Sequence, residues 1–376
     1  MVRIGVLTSS RADFGVYLPL LKRFKTDQDI DFKIIAFGAH LSNLHGRSID
    51  EIFQQSFQAD YQISTMLSDD SEAAISTSAS LTSLKFSDFW ANHKDDFDIV
   101  LCLGDRFEMF SAVIAAVPFG IKFAHFYGGD FSKGAIDNVY RNGLTHASVI
   151  HFTSNKKCTN KVKTMADNPF SIDEIGILSL EETENTKLLT IEAFKNRWNI
   201  DLLKPTILIT FHPETVSPEK NNHFAKILFE TFSIVQKTFQ LVFTMPNADT
   251  NGNIYRKTFF RLKDTFPNNI FLVENFGIQS YFTCMKNSLL MVGNTSSGIS
   301  EAASFQKFFI NVGERQIGRE FGPNIISVGF VQKKLIKSIN DTIKLGAFKG
   351  KNIYRNEGAL ALVVKRLKDF SSRKDY

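Results

Sequence analysis

Residues 104–141 hold side chains of the kinds that bind anions and move protons: Asp105, Arg106, Glu108, His125, Asp130, Asp137 and Arg141. Carboxylates set near one another and near guanidinium groups acquire different proton affinities, so that one can give a proton while another takes one. Asp137 and Arg141 stand four apart, which puts them on one face of a helix. Asp and Gly are also ordinary helix caps. Capping, however, asks for no such convergence of Asp, Glu, His and Arg.

The elements that must position these groups are strands. Ile99-Val100-Leu101-Cys102-Leu103 is short, apolar and rich in β-formers, so it reads as a buried strand of a parallel sheet. Gly104, Asp105, Arg106 and Glu108 follow its carboxyl end. The run Ile121–Phe126 ends the same way, in Tyr127-Gly128-Gly129-Asp130. Open α/β sheets gather ligands at the carboxyl ends of their strands.

Five more strand ends carry polar residues. Val2–Thr8 leads into Ser9-Ser10-Arg11-Ala12-Asp13, where hydroxyls and Arg11 offer anion ligands and Ser10 or Asp13 can cap the helix. A GxGxxG fingerprint is missing there, which argues against a dinucleotide bound in the usual way. His212 follows the strand Thr206–Phe211, and Met245–Gly252 is a second polar strand end that reads equally as a loop. Val292–Ala303 leads through Asn294, Thr295, Ser296, Ser297 and Gly298 to Glu301. Its N–H groups and hydroxyls suit a diphosphate, and Glu301 suits a ribose diol. A capping box between Ser297 and Glu301 fails by one residue. Arg315 and Arg319 end another strand as candidate anion ligands or surface arginines.

The chain has 376 residues and a formal net charge of +5, which fits an anionic small ligand and makes no case for nucleic acid. Cys102, Cys158 and Cys284 lack the spacing of a zinc site or disulfide framework and fit a reducing, cytoplasmic setting. No leader segment and no apolar run of membrane-span length is read, so no membrane role is expected. The 37 phenylalanines read as core residues in place of leucine.

Short apolar runs alternate with helical patterns, which predicts an α/β chain of two Rossmann-like, doubly wound domains. One strand series is Val2–Thr8, Phe32–Phe37, Ile99–Leu103, Lys122–Phe126 and Val149–Thr153. The other is Thr206–Phe211, Leu241–Met245, Ile270–Val273, Leu289–Val292, Phe308–Val312 and Ile325–Val328. The polar stretch 176–204, with a helix at Thr190–Trp198, marks the boundary. The expected domains are 1–180 and 181–355, followed by a C-terminal segment, 356–376. Leu360, Val363, Val364 and Leu367 form one face of a helix in that segment. Lys365, Arg366 and Lys368 read as solvated residues that favour its dipole.

SRADFG, GDRFE, H-x-x-GG-acid, GAIDxxxR, FHPET, GNTSSGIxEA and NVGxRQxGR occur here in one order, over about residues 3–320. This set resembles the hydrolysing UDP-N-acetylglucosamine 2-epimerases of sialic- and legionaminic-acid biosynthesis. The resemblance implies a glycosyltransferase-B-like fold whose two domains face a cleft, with the C-terminal helix returning to the first domain. It also implies a dimer or tetramer, a nucleotide-sugar substrate and neither cofactor nor metal. Asp105, Asp137 and His212 match catalytic positions, and Asp130, where members usually carry Glu, is a further catalytic candidate. Arg11, Arg106, Glu108, Tyr127, Arg141, Asn294, Ser296, Ser297, Gly298, Glu301 and Arg315 match or adjoin binding positions. The sequence departs from the family pattern at Tyr127, Asp130 and Asn142.

The implied reaction suits these residue types. The C2–H of an N-acetylhexosamine has no adjacent carbonyl to acidify it, so C1–O cleavage must lead. A carboxylate then takes the C2 proton to give 2-acetamidoglucal, and water adds at C1 while a proton returns to C2. The alternatives are GDP-GlcNAc or a UDP-2,4-diacetamido-trideoxyhexose as substrate, a non-hydrolysing 2-epimerase, a retaining glycosyltransferase of the same fold, and an inactive sugar-nucleotide binder.

Overall fold

The computed structural model describes residues 1–42, 47–67, 71–131, 136–214, 218–245, 252–274 and 276–373. Two compact units emerge, one from residues 1–131, 136–182 and 356–373, the other from 183–355.

The first unit is a parallel sheet of β1 (Val2–Thr8), β2 (Ile30–Phe37), β3 (Tyr61–Ile63), β4 (Ile99–Leu103), β5 (Phe123–Phe126), β6 (Ile150–Thr153) and β7 (Ser171–Glu174), in the order β3-β2-β1-β4-β5-β6-β7. β1, β4 and β5 are therefore neighbours, and their carboxyl ends lie side by side. Every residue of β4 is buried, because helices cover both faces of the sheet. Ile99, Leu101 and Leu103 pack with the helix Arg11–Lys25, whereas Val100 and Cys102 pack against the helices Glu72–His93 and Phe107–Ile114. The phenylalanines fill these layers. Phe37 meets Phe86 edge-on at 4.8 Å, and Trp90 packs beside Phe86 and Phe89.

The helix Ala359–Ser371 closes one face of this first sheet. Val363, Leu367 and Phe370 join the core that holds Val2, Ile4 and Leu21, each burial contributing about 1.5–3 kcal/mol. Its basic residues do more than sit in solvent. Arg366 pairs with Asp173 on β7 at 2.9 Å, and Lys368 pairs with Asp27 and Asp29 at 2.7 and 2.9 Å.

The second unit is a parallel sheet of β8 (Thr206–Thr210), β9 (Gln240–Thr244), β10 (Ile270–Val273), β11 (Leu290–Gly293), β12 (Phe309–Val312) and β13 (Ile325–Val328), in the order β10-β9-β8-β11-β12-β13. The helices Asn221–Val235, Gly252–Thr265 and Gln332–Leu345 bury one of its faces. Both units are thus doubly wound α/β domains, as the alternation of apolar runs predicts. β3 and β7 were not expected. Both are short edge strands whose residues are only partly buried or exposed, so neither shows an apolar run.

Candidate active site

In the first unit the loop after β1 is tied down by its own side chains. Ser10 caps the helix Arg11–Lys25, and the buried Asp13 accepts from the Ser9 amide at 2.9 Å and the Ser9 hydroxyl at 2.7 Å. Burial raises the Asp13 carboxyl above its usual range, and the Ser9 donors oppose it. His40, buried between the Thr8 and Ser48 hydroxyls at 2.8 and 3.0 Å, is pushed down to about 4 by desolvation. Arg11 is largely exposed and pairs with Glu51 at 3.0 Å.

The loop after β4 carries the charged cluster. Arg106 occupies the cap position of the helix Phe107–Ile114, and its Nε donates at 3.2 Å to Oε1 of the fully buried Glu108. Burial works against the Arg106 charge, but Glu108, Asp13 and Asp105 together hold its proton more tightly than usual. Asp105 accepts from Nη2 of Arg141, which is itself buried. The other terminal nitrogen of Arg141 donates to the Asp130 carbonyl at 3.1 Å and to Asn138 Oδ1 at 3.0 Å. One guanidinium thus joins the end of β4, the segment after β5 and the helix Asp137–His146.

Asp137 opens that helix. Desolvation and then the Asp105 charge raise its carboxyl above the usual range, Glu108 adds to this, and Arg141 and Arg106 pull the other way. The Asp130 carboxylate turns back to the Phe131 amide at 2.9 Å. Tyr127 takes a left-handed backbone (φ 66°), and its hydroxyl accepts from the Leu178 amide at 3.0 Å. Burial raises that phenol. Gly129, at φ 82°, packs so closely under the Cys158 carbonyl that a Cβ would collide with it.

In the second unit β8 and β11 pair in register, Thr210 opposite Gly293, so residues 212 and 294 leave the sheet together. The buried Asn294 clamps His212 from both sides. Its Oδ1 accepts from the His212 amide at 2.7 Å, and its Nδ2 donates to the His212 carbonyl at 2.9 Å. Gln316 holds the Asn294 carbonyl at 2.8 Å. The buried Glu214 accepts from the amides of Glu314 and Arg315 at 3.0 and 3.3 Å, and Asn221 pairs with the Glu214 backbone at 2.9 and 3.1 Å. Burial raises the Glu214 carboxyl, and those two amides oppose the rise.

After β11, Thr295 caps the short helix Ser296–Ser300, with Ser296 exposed and Gly298 packed against the Phe309 ring. Ser297 donates its hydroxyl to Glu301 Oε2, so the Tyr281 hydroxyl, 2.9 Å away, donates to Ser297. Burial pushes Glu301 up to about 7, with the Ser297 donation opposing.

Of the residues singled out in the sequence, the structure brings Asp105, Arg106, Glu108, Asp137 and Arg141 together, with Asp130 joined through its carbonyl. It brings Ser297 and Glu301 together in the second unit. The polar groups of Tyr127 and Asn294 contact backbone, and Arg11 lies against Glu51. Gly134 and Ala135 of the GAIDxxxR motif, Thr215 of FHPET and the loop 246–251 lie outside the described residues. Four contributors were not singled out in the sequence, Thr145, Glu214, Tyr281 and Gln316, and His125 was noted there without a role. His125 had a signal, a histidine inside an apolar strand. Glu214 and Gln316 stood inside quoted motifs, whereas Tyr281 had no signal.

The profile of the UDP-N-acetylglucosamine 2-epimerase family matches residues 22–368. The chain is 30% identical over 383 residues to the polysialic acid biosynthesis protein P7 of Escherichia coli, covering 100% of this chain and 96% of that one. It is 30% identical over 356 residues to the hydrolysing UDP-N,N'-diacetylbacillosamine 2-epimerase of Legionella pneumophila, covering 94% and 92%. It shares the fold of the UDP-GlcNAc 2-epimerase of Neisseria meningitidis, solved bound to UDP-GlcNAc, with a TM-score of 0.77 at 18% identity over 98% of this chain and 100% of that one. With its two doubly wound units and charged strand ends, the chain belongs to the UDP-N-acetylglucosamine 2-epimerase family.

Proposed function

We propose that the chain is a hydrolysing 2-epimerase that converts UDP-GlcNAc into N-acetylmannosamine and UDP, feeding nonulosonic acid biosynthesis. The observation that carries this reading is the contrast between two carboxylates around one buried guanidinium. Asp105 is ion-paired with Arg141, and Asp137 is held above its usual proton affinity, partly by the Asp105 charge. A reaction that removes a proton from C2 and returns one to the opposite face needs two such groups with different affinities.

In this reading the C1–O bond breaks first, and its electron pair leaves with the nucleoside diphosphate. One carboxylate of the pair takes the C2 proton, giving 2-acetamidoglucal. Water then adds its oxygen to C1 and gives up one proton to a carboxylate of the pair, while the second group protonates C2, and the sugar leaves as the 2-epimer. Arg141 holds Asp105, Arg106 holds the neighbouring Glu108, and both lower the proton affinity of Asp137, with Asp130 and His212 as further candidates for proton transfer. Ser296, Ser297, Glu301 and Arg315 serve the nucleotide, with Tyr281 and Ser297 orienting Glu301 towards a ribose diol. The name of the Legionella relative favours a second substrate, a UDP-2,4-diacetamido-trideoxyhexose.

Incubation with UDP-GlcNAc, GDP-GlcNAc and UDP-diacetamidobacillosamine in D2O, followed by NMR, tests the reading. The expected result is free nucleoside diphosphate and a reducing 2-epimer with deuterium at C2. An epimerised sugar still attached to its nucleotide would make the enzyme non-hydrolysing. Unchanged sugar nucleotides, with UDP bound, would make the chain a binder.

A further inference from the structure

His125 lies on β5, fully buried and in register with His151 on β6. Its ring nitrogens face two different elements. Nε2 is 3.0 Å from the Gly104 carbonyl oxygen, just after β4, and Nδ1 is 3.2 Å from the Thr145 hydroxyl on the helix Asp137–His146. A carbonyl only accepts, so Nε2 carries the hydrogen. Burial pushes the imidazole down to about 3, the His151 and Arg141 charges act in the same direction, and the Gly104 carbonyl opposes. The ring is therefore neutral near pH 7 with a bare Nδ1, and the single hydroxyl hydrogen of Thr145 lies between two acceptors, that Nδ1 at 3.2 Å and the Arg141 carbonyl at 3.0 Å. Gly128 leaves room for this contact: a Cβ there would stand 3.0 Å from both His125 Nδ1 and Thr145 Oγ1. One imidazole thus ties the residue before Asp105 to the helix that carries Arg141 and Asp137.

We propose that His125 is a positioning residue, which sets the spacing of Asp105, Arg141 and Asp137 by holding the Gly104 carbonyl and the Asp137–His146 helix at fixed separation. This rests on the reading of Asp105 and Asp137 as the proton-transfer pair. His125 carries no proton in the reaction. It acts through the backbone at 104 and the hydroxyl at 145. The groups that set the Asp137 titration are Asp105, Arg141, Arg106 and Glu108, so a displaced helix changes that titration.

His125→Phe keeps the ring and removes both nitrogens, and His125→Gln returns an N–H near the place of Nε2. In His125→Phe kcat falls about 100-fold with KM within about threefold, as a misplaced reacting group costs. His125→Gln recovers to within about tenfold of the parent. The limb of the pH–rate profile that belongs to Asp137 moves in the Phe variant and returns in the Gln variant. Thr145→Val, which removes only the partner of Nδ1, moves the same limb in the same direction. Carboxyl 13C NMR of Asp137 in the ligand-free protein follows the same shift and needs no turnover. Unchanged kcat and an unmoved Asp137 titration in His125→Phe overturn the proposal. So does an equal loss in Phe and Gln variants with the titration unmoved, which marks a fold defect alone. If the parent protein releases nucleotide from no sugar nucleotide, the proposed activity fails, and the NMR titration still decides the role of His125.

Discussion

The carboxyl ends of the two sheets weight their polar side chains differently. In the first unit, side chains answer side chains: Arg141 holds Asp105, Arg106 holds Glu108, and Asp137 titrates in their combined field. In the second, around β8, side chains answer backbone: Asn294 grips both polar groups of residue 212, and Glu214 collects the amides of 314 and 315, while Tyr281, Ser297 and Glu301 form a smaller side-chain set after β11. Charges that set one another's proton affinity suit acid–base work. A backbone held by buried amides and carboxylates suits the fixed presentation of N–H groups and hydroxyls to an anion. The first arrangement is therefore fragile to changes of charge, and the second to changes of shape.

Asp105→Asn puts the heaviest load on this contrast. Turnover falls by about 10²–10⁴-fold, while UDP affinity by calorimetry stays within about twofold because the change removes charge and little volume. A loss of UDP affinity matching the loss of turnover would erase the distinction between the units. Next in size is Asn294→Ala, which unpairs the N–H and C=O of His212. It costs about 1–3 kcal/mol in denaturant melts and weakens UDP at least about tenfold. Stability at the parent level would show that water replaces the clamp.

Glu301→Gln probes a carboxylate of the second unit that sits beside hydroxyls. Its folded value of about 7 lies above the ordinary 4.5. Its contribution to stability is thus complete below the unfolded value and is lost as pH rises through the folded one. The variant gains about 1–3 kcal/mol over the parent above pH 7, and the gain vanishes near pH 4. A difference that ignores pH would rule out burial as the cause. The smallest effect is a displacement. In Asp105→Asn the Asp137 titration, followed by 13C NMR, moves downward, because a like charge is lost and Arg141 is released to attract it. An upward or absent shift would separate the two carboxylates.

The charged loop was legible because its strand was. Ile99–Leu103 is apolar at every position, and the residues after it are charged. β3 and β7 were illegible because an edge strand such as Ser171–Glu174 is half-buried throughout and alternates nothing. The types of Asp105, Asp137 and Arg141 suggested one cluster, and the neighbouring positions of β4 and β5 supply the reason. Asn294 reads in sequence as a ligand for an anion. Only the pairing of Thr210 with Gly293 reveals that residue 212 stands within reach of its amide. Tyr281 could not have been chosen, since nothing local marks one helical tyrosine as the partner of a serine sixteen residues on.

The helix Ala359–Ser371 has a consequence for the order in which the molecule can be made. Val363, Leu367 and Phe370 complete a core whose other members include Val2, Ile4 and Leu21. The ribosome must therefore translate the whole of residues 183–355 before the first unit receives its last layer. Until then the part of that face beside the helix Arg11–Lys25 lacks its cover, while the second unit already has every strand it needs. Ion pairs from Arg366 to Asp173 and from Lys368 to Asp27 and Asp29 then guide the arriving helix onto a surface that has been waiting since early in synthesis. The first unit to emerge is thus the last to be finished, and chaperones have the longest time to act on it.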